Sequence, residues 1–179
     1  MKTIDMRFWH YTPAVRLPHI LSSGKINLDK QARAYGEKPA AWISTNPKWE
    51  YTVLKAMTDG LLMDYDELNL KLGLGRIEIK PSINFISWNK FRLTSGINKK
   101  LWLKMTEYGI EKGGCPDEWY ASYITIIRRY FLSVEMNIEG KWVKCKDWDK
   151  IEQFVHGGME ANRTFVKMKL IGLQNKMVA

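Results

Sequence analysis

The sequence predicts an α+β fold, with helices mostly in the N-terminal half and a largely antiparallel sheet in the C-terminal half. Three observations predict it. The early apolar residues recur at helical spacing behind short strands. From Trp119 onward the pattern changes to β. Glu139-Gly140 stands between two strand-like runs as a hairpin signal. A chain of 179 residues with 45% apolar content suits one domain, residues 1–179, and no repeat, low-complexity stretch or long linker divides it.

Phe8-Trp9-His10-Tyr11 reads as a first strand. Thr12 then reads as an N-cap with Pro13 at the first helical position, and Gly24 stops a helix carrying Ala14, Leu17, Ile20 and Leu21. Ala40 to Ser44 is a second strand. Asn46-Pro47 repeats the cap signal and predicts a helix with Trp49, Val53 and Met57 on one face, ending at Thr58-Asp59-Gly60. Leu61 to Leu74 reads as either a helix or a lid, and Gly73-Leu74-Gly75 as a turn. Arg76 to Lys80 alternates as a strand with one dry and one charged face. Ser95 to Tyr108 reads as a helix turning Leu101, Met105 and Tyr108 inward. Trp119 to Ile126 reads as a strand, Val134–Ile138 and Lys141–Lys144 as the hairpin, and Thr164 to Leu170 as a last strand.

The composition excludes several classes. Two cysteines, Cys115 and Cys145, are too few for a disulfide scaffold and lack zinc-site spacing, so reduced thiols in a cytoplasmic protein are expected. No apolar run is long enough to span a bilayer and no signal-peptide core follows Met1, so no membrane association is expected. A formal charge of +9 favours a polyanionic partner, DNA or RNA among them, although a solvated lysine surface would account for it equally.

Two polar clusters stand where the early strands end: His10-Tyr11-Thr12 and Ser44-Thr45-Asn46. Histidine offers a donor–acceptor pair, tyrosine a flat face, and the hydroxyls adjustable hydrogen bonds. Beside a helix N-terminus that set suits a heteroaromatic amide joined to ribose and phosphate. It suits plain capping too, and His10 reads equally as a satisfied core histidine.

Trp9-His10-Tyr11-Thr12, followed by Leu17-Pro18-His19-Ile20-Leu21-Ser22-Ser23-Gly24-Lys25-Ile26, resembles the opening of the ADP-ribosyltransferase fold. It is most similar to the DNA-modifying ADP-ribosyltransferase toxins and, more loosely, to the RNA 2′-phosphotransferases. Trp42-Ile43-Ser44-Thr45 matches their second strand, and the likeness covers about the first sixty residues. The resemblance implies NAD as co-substrate, with His10 and Thr12 on the nicotinamide ribose and amide. It implies Ser44 and Thr45 beside them, Tyr11 or Tyr51 as the stacking ring, and Arg33 near phosphate. Those toxins carry an asparagine just before Leu-Pro, where Arg16 stands here.

Transfer of ADP-ribose passes through an oxocarbenium-like sugar, which a carboxylate anchors while it orients or deprotonates the acceptor. Glu118 is the candidate, with Asp117 beside it; an alignment on apolar residues puts Ser122 there instead, and serine cannot act as that base. Lys90, Arg92, Lys99, Lys100 and Lys104, then Arg128, Arg129, Lys141, Lys144 and Lys146, interleave with tryptophans and tyrosines. Such a pattern stacks unpaired bases, or is a core beside a solvated face. Three readings stand: an NAD-dependent ADP-ribosyltransferase acting on nucleic acid or an associated protein; a non-catalytic nucleotide binder or partner blocker; and a basic nucleic-acid-binding domain. The compact chain would fit a phage or mobile-element effector.

Overall fold

The computed structural model describes residues 6–29, 36–53, 63–146 and 148. Nine strands are described: β1 (Phe8–Pro13), β2 (Lys25–Ile26), β3 (Ala41–Ser44), β4 (Leu74–Ile79), β5 (Ile86–Ser87), β6 (Trp119–Ser122), β7 (Ile126–Ile127), β8 (Phe131–Ile138) and β9 (Lys141–Lys144). Four helices accompany them: α1 (Leu17–Ser23), α2 (Tyr65–Leu72), α3 (Trp88–Thr94) and α4 (Lys99–Glu111). Seven strands form one sheet in the order β5-β6-β3-β1-β4-β8-β9, and β2 pairs separately with β7. Every pairing is antiparallel. The chain is therefore α+β with an antiparallel sheet, but helices and strands are interspersed along it. Among the described residues no helix is long and apolar enough to cross a membrane.

Strand alternation divides the sheet into two unlike faces. One carries Phe8, Ile43, Ile77, Ile79, Val134 and Met136 against Leu17, Ile20 and Leu21 of α1. The other carries Trp9, Tyr11 and Leu74 against Trp49, Met63 and Leu68. A third cluster seats Trp88 and Phe91 of α3 against Trp119 and Ala121 of β6.

Several expectations hold. Gly24 ends α1 at φ 65°, its N–H reaching the Ile20 and Leu21 carbonyls. The hairpin turn has Glu139 at φ 51° and Gly140 at φ 80°, the left-handed pair that a two-residue β-turn requires. The Leu61–Leu74 segment contains a helix, α2, capped by Asp64, which accepts from the Glu67 N–H. Gly73 turns the chain out of it.

Others are corrected. Thr12 does not cap a helix: it pairs with Gly75 inside β1, and α1 begins only at Leu17. The ladder wins because Gly75 has no side chain; a Cβ there would lie 2.9 Å from Leu17 Cδ1. The helix expected after Asn46-Pro47 is not formed through Val53. Asn46 instead accepts from the Lys48 N–H, and Val53 turns back onto the Glu50 carbonyl. The charged face of β4 is not solvated, since Arg76 is 6% exposed and paired with Glu135. The strand expected from Trp119 to Ile126 is two: the Ser122 hydroxyl donates to the Ile124 carbonyl and accepts the Ile124 N–H, turning the chain between β6 and β7. The helix expected from Ser95 starts at Lys99, with Asn98 as cap. Its inner side is Trp102, Thr106 and Gly109, whereas Met105 and Tyr108 are exposed. The Trp88 indole sets that orientation, donating to Thr106 Oγ1 at 2.8 Å and stacking on Trp102. Met57 and the expected strand Thr164–Leu170 lie outside the described residues.

Candidate functional site

The adjacent strands β1, β3 and β6 share one cross-strand row, Trp9↔Ser44↔Trp119. His10 follows the first of these residues, Thr45 follows the second, and Glu118 precedes the third. Antiparallel register sets Glu118 level with Thr45 and His10 level with Ile43. With strands about 4.8 Å apart and about 3.4 Å per residue, the backbones of His10 and Glu118 are roughly 12 Å apart across β3. The row joins three distant stretches of sequence, with His10 on one side of it and Thr45 and Glu118 on the other.

β1 and β3 share only the Trp9↔Ser44 pair. Beyond it the His10 ring takes part: Nδ1 lies 2.9 Å from the Trp42 carbonyl oxygen, which can only accept. In a neutral ring the Nδ1 proton makes that bond and Nε2 is the acceptor nitrogen. Alternation puts His10 and Thr12 on the face of Phe8 and puts Tyr11 on the opposite face with Trp9. Thr12 is buried.

Tyr11 is not an open stacking ring. It is 4% exposed, lies 5.1 Å from the Trp49 ring, and its hydroxyl donates to the Asn46 carbonyl. Burial pushes that hydroxyl up to about 12, and its hydrogen bond with Arg76 opposes the rise. Tyr51 has the accessible ring. It is 39% exposed, and its centroid lies 5.6 Å from that of Tyr65.

Ser44 holds a buried carboxylate that the sequence reading missed. Its hydroxyl donates to Glu50 Oε2 at 2.8 Å and accepts the Asn46 N–H at 3.1 Å. Glu50 Oε1 accepts from the Thr52 hydroxyl at 2.8 Å and from the Thr52 N–H at 3.2 Å. Both carboxylate oxygens are thus engaged inside the protein. No spacing signal marked Glu50, because its partners come from a turn where a helix was expected.

Glu118 closes the short 3-10 turn Pro116–Glu118 before β6, and its carbonyl accepts the Thr45 N–H at 2.9 Å. Partial burial raises its carboxyl above the ordinary glutamate value; a hydrogen bond with the Asn46 side chain opposes this, and the Glu50 charge adds to it. Glu118 therefore faces Asn46 and Glu50, while the bonded partner of His10 is Trp42. Ser122, the alternative position, is 2% exposed and spends its hydroxyl on the turn. Arg33 lies outside the described residues.

Gly114 binds this cluster to the next surface feature: a Cβ there would lie 3.3 Å from Glu50 Oε1 and 2.7 Å from Trp119 Cζ2. Gly113, with φ 91°, packs on the Tyr51 ring. Beyond Tyr51 opens a cleft of about 310 Å³ walled by aromatic rings.

No protein-family model, curated protein or solved structure matches this chain. Its chemistry is therefore read from the residues. Within one residue of the row stand an imidazole, two hydroxyls and a partly buried carboxyl group with a second carboxylate behind it, and an exposed phenol ring lies against Gly113. Among the described residues no group of three or more His, Cys, Asp or Glu side chains could hold a metal ion.

A second polar cluster, also missed, lies on the Trp9 face. Arg76 is paired with Glu135 at 2.5 Å and 8% exposed in its side chain. Its guanidinium lies 4.2 Å from the Trp142 centroid and 5.0 Å from that of Trp9. Arg7 makes a two-pronged ion pair with Glu78, and Ser133 donates to the same carboxylate. Glu135 was visible in the sequence as one charge among the apolar residues of Val134–Ile138, the one signal that could have found the pair.

Proposed function

We propose that this chain is an NAD-dependent ADP-ribosyltransferase-like enzyme that modifies nucleic acid or a nucleic-acid-associated protein. The observation that carries the reading is the row Trp9↔Ser44↔Trp119, which sets His10, Thr45 and Glu118 on three neighbouring strands, each within one residue of the row. These are the strands on which the ADP-ribosyltransferase resemblance expects a histidine, a hydroxyl and a late carboxylate.

The donor set fits NAD in part. His10, Thr45 and Tyr51 are at least partly accessible and offer an imidazole, a hydroxyl and a stacking face. Thr12 and Ser44 are buried and act from behind, Ser44 by fixing Glu50. In the reaction the bond between nicotinamide and the ribose carbon breaks, and the acceptor atom bonds to that carbon. Glu118 is the group suited to take the acceptor's proton, because its raised affinity for protons makes it a better base than an exposed glutamate.

Incubation with labelled NAD and DNA, RNA or cell lysate tests the reading. Transferred label and released nicotinamide, both lost in Glu118→Gln, are the expected outcome. Neither product from the native chain overturns it.

One observation favours a second reading, a non-catalytic nucleotide binder or partner blocker on the same scaffold. Glu118 is engaged by Asn46 and faces Glu50, whereas His10 bonds the Trp42 carbonyl. That reading expects NAD to raise the melting temperature and to be recovered intact.

A further inference from the structure

We propose that the outer surface of α3 and α4 adsorbs to an anionic lipid bilayer, with its lysines on the headgroups and its exposed leucines in the interface. No acidic residue stands between Glu78 and Glu107, whereas Lys90, Arg92, Lys99, Lys100 and Lys104 do, and all five are exposed. The two helices form one layer over β6. Trp88 and Phe91 of α3 pack with Trp119 and Ala121, and Leu101 and Trp102 of α4 lie against the same cluster. Trp88 stacks on Trp102 with centroids 5.7 Å apart, and the Arg92 guanidinium lies 5.3 Å from the Trp102 centroid. Helical periodicity turns Lys90 and Leu93 away from Trp88 and Phe91, and turns Lys100 and Lys104 away from Trp102 and Thr106. Leu93 is 73% exposed and Leu103 is 41% exposed among these cations.

Charge and side-chain type together name the occupant. Cations with no carboxylate among them suit a dense anionic surface, and both a bilayer and a nucleic acid offer one. Unpaired bases ask for open ring faces. Here Trp88 is buried, Trp102 is half-buried beneath the Arg92 guanidinium, and the apolar side chains exposed beside the lysines are aliphatic. Leucine tips among lysines match the boundary between headgroups and acyl chains, where apolar area leaves water while the ammonium groups stay with the lipid phosphates. Leu93 contributes little to the fold, and burial in that boundary removes its apolar area from water. Adsorption needs no spanning segment, so it is compatible with the lack, among the described residues, of a helix able to cross a membrane.

The test uses the full chain without NAD, so its outcome does not depend on the transferase reading, which nicotinamide release tests separately. The chain is sedimented with vesicles of phosphatidylcholine alone and of phosphatidylcholine mixed with phosphatidylglycerol, and is titrated with single-stranded and duplex DNA at the same salt. Partition onto the mixed vesicles, lost at high salt and absent from phosphatidylcholine alone, is the expected result. Lys100→Gln and Lys104→Gln should each weaken it about fivefold, the worth of one cation at the lipid surface. Leu93→Asn should weaken it about tenfold by removing the apolar contact. All three side chains are exposed, so these variants keep the fold. No partition onto the mixed vesicles, equal partition onto phosphatidylcholine alone, or unchanged partition in Leu93→Asn overturns the proposal. Binding to DNA but not to vesicles, weakened by Lys100→Gln and untouched by Leu93→Asn, overturns it in favour of a nucleic-acid surface.

Discussion

The two faces of the central sheet are built from the same strands and held by different physics. On the α1 face, Ile77, Val134 and Met136 meet Leu17 and Leu21, and the stabilisation is area removed from water. On the other face the same strands β4 and β8 present Arg76 and Glu135, almost wholly buried between Trp9 and Trp142. A buried ion pair has to recover a large desolvation cost, so it needs every donor satisfied. Here the guanidinium also reaches the Pro47 carbonyl and the Tyr11 hydroxyl. The first face tolerates any apolar side chain of similar volume; the second tolerates very little. Tyr11, Asn46 and Pro47 tie the polar network of the second face to the turn that holds Glu50.

Arg76→Met should break the comparison most sharply. It leaves Glu135 charged and unpaired, and urea denaturation should show a loss of about 3–5 kcal/mol. The double change of Arg76→Met with Glu135→Leu should recover much of that, because no charge is then stranded. On the apolar face, Leu17→Ala should cost about 2–5 kcal/mol through the cavity it opens, with no dependence on pH. A smaller effect is expected at Glu118. Its raised folded value means that its contribution to stability is fully present below the ordinary glutamate value near 4.5 and is lost as pH rises through the folded value. Glu118→Gln should therefore melt at least as high as the native chain at pH 7, and the gap should close on acidification. Thermal scans between pH 4 and 8 read it. Glu78 has the opposite sign: hydrogen bonding by Arg7 lowers it, so its contribution is present above that ordinary value and lost as pH falls through its folded value. The smallest perturbation is chemical. Alkylation of the native protein at neutral pH should label exposed Cys115 and spare Cys145, whose buried thiol is pushed up to about 12.

Much of the fold was legible where local chemistry decides. Gly24, the Glu139-Gly140 turn and the apolar run before Ser44 act within a few residues, and each element stands where those residues predict it. Legibility failed where a distant partner outbid a local preference. Thr12 has the chemistry of a cap, but Gly75 some sixty residues later offers a ladder position. Asn46-Pro47 has the chemistry of a helix start, but Glu50 draws in Ser44 and Thr52 and keeps the chain in turns. The site follows the same rule. His10, Thr45, Tyr51 and Glu118 were readable as residue types, although β1 runs past His10 to Pro13 and Tyr51 stands in a turn beyond β3. Glu50 and the Arg76–Glu135 pair were not, because their meaning lies in pairings set by sheet register.

The central claim is that the row linking β1, β3 and β6 serves a reaction on NAD. Release of nicotinamide from NAD by the purified chain, followed by chromatography beside Glu118→Gln and His10→Ala, tests it most directly. The account expects release by the native chain, loss of at least about tenfold in Glu118→Gln with the fold retained, and weakened NAD binding in His10→Ala. Intact NAD with the native chain, or equal release by Glu118→Gln, would contradict it.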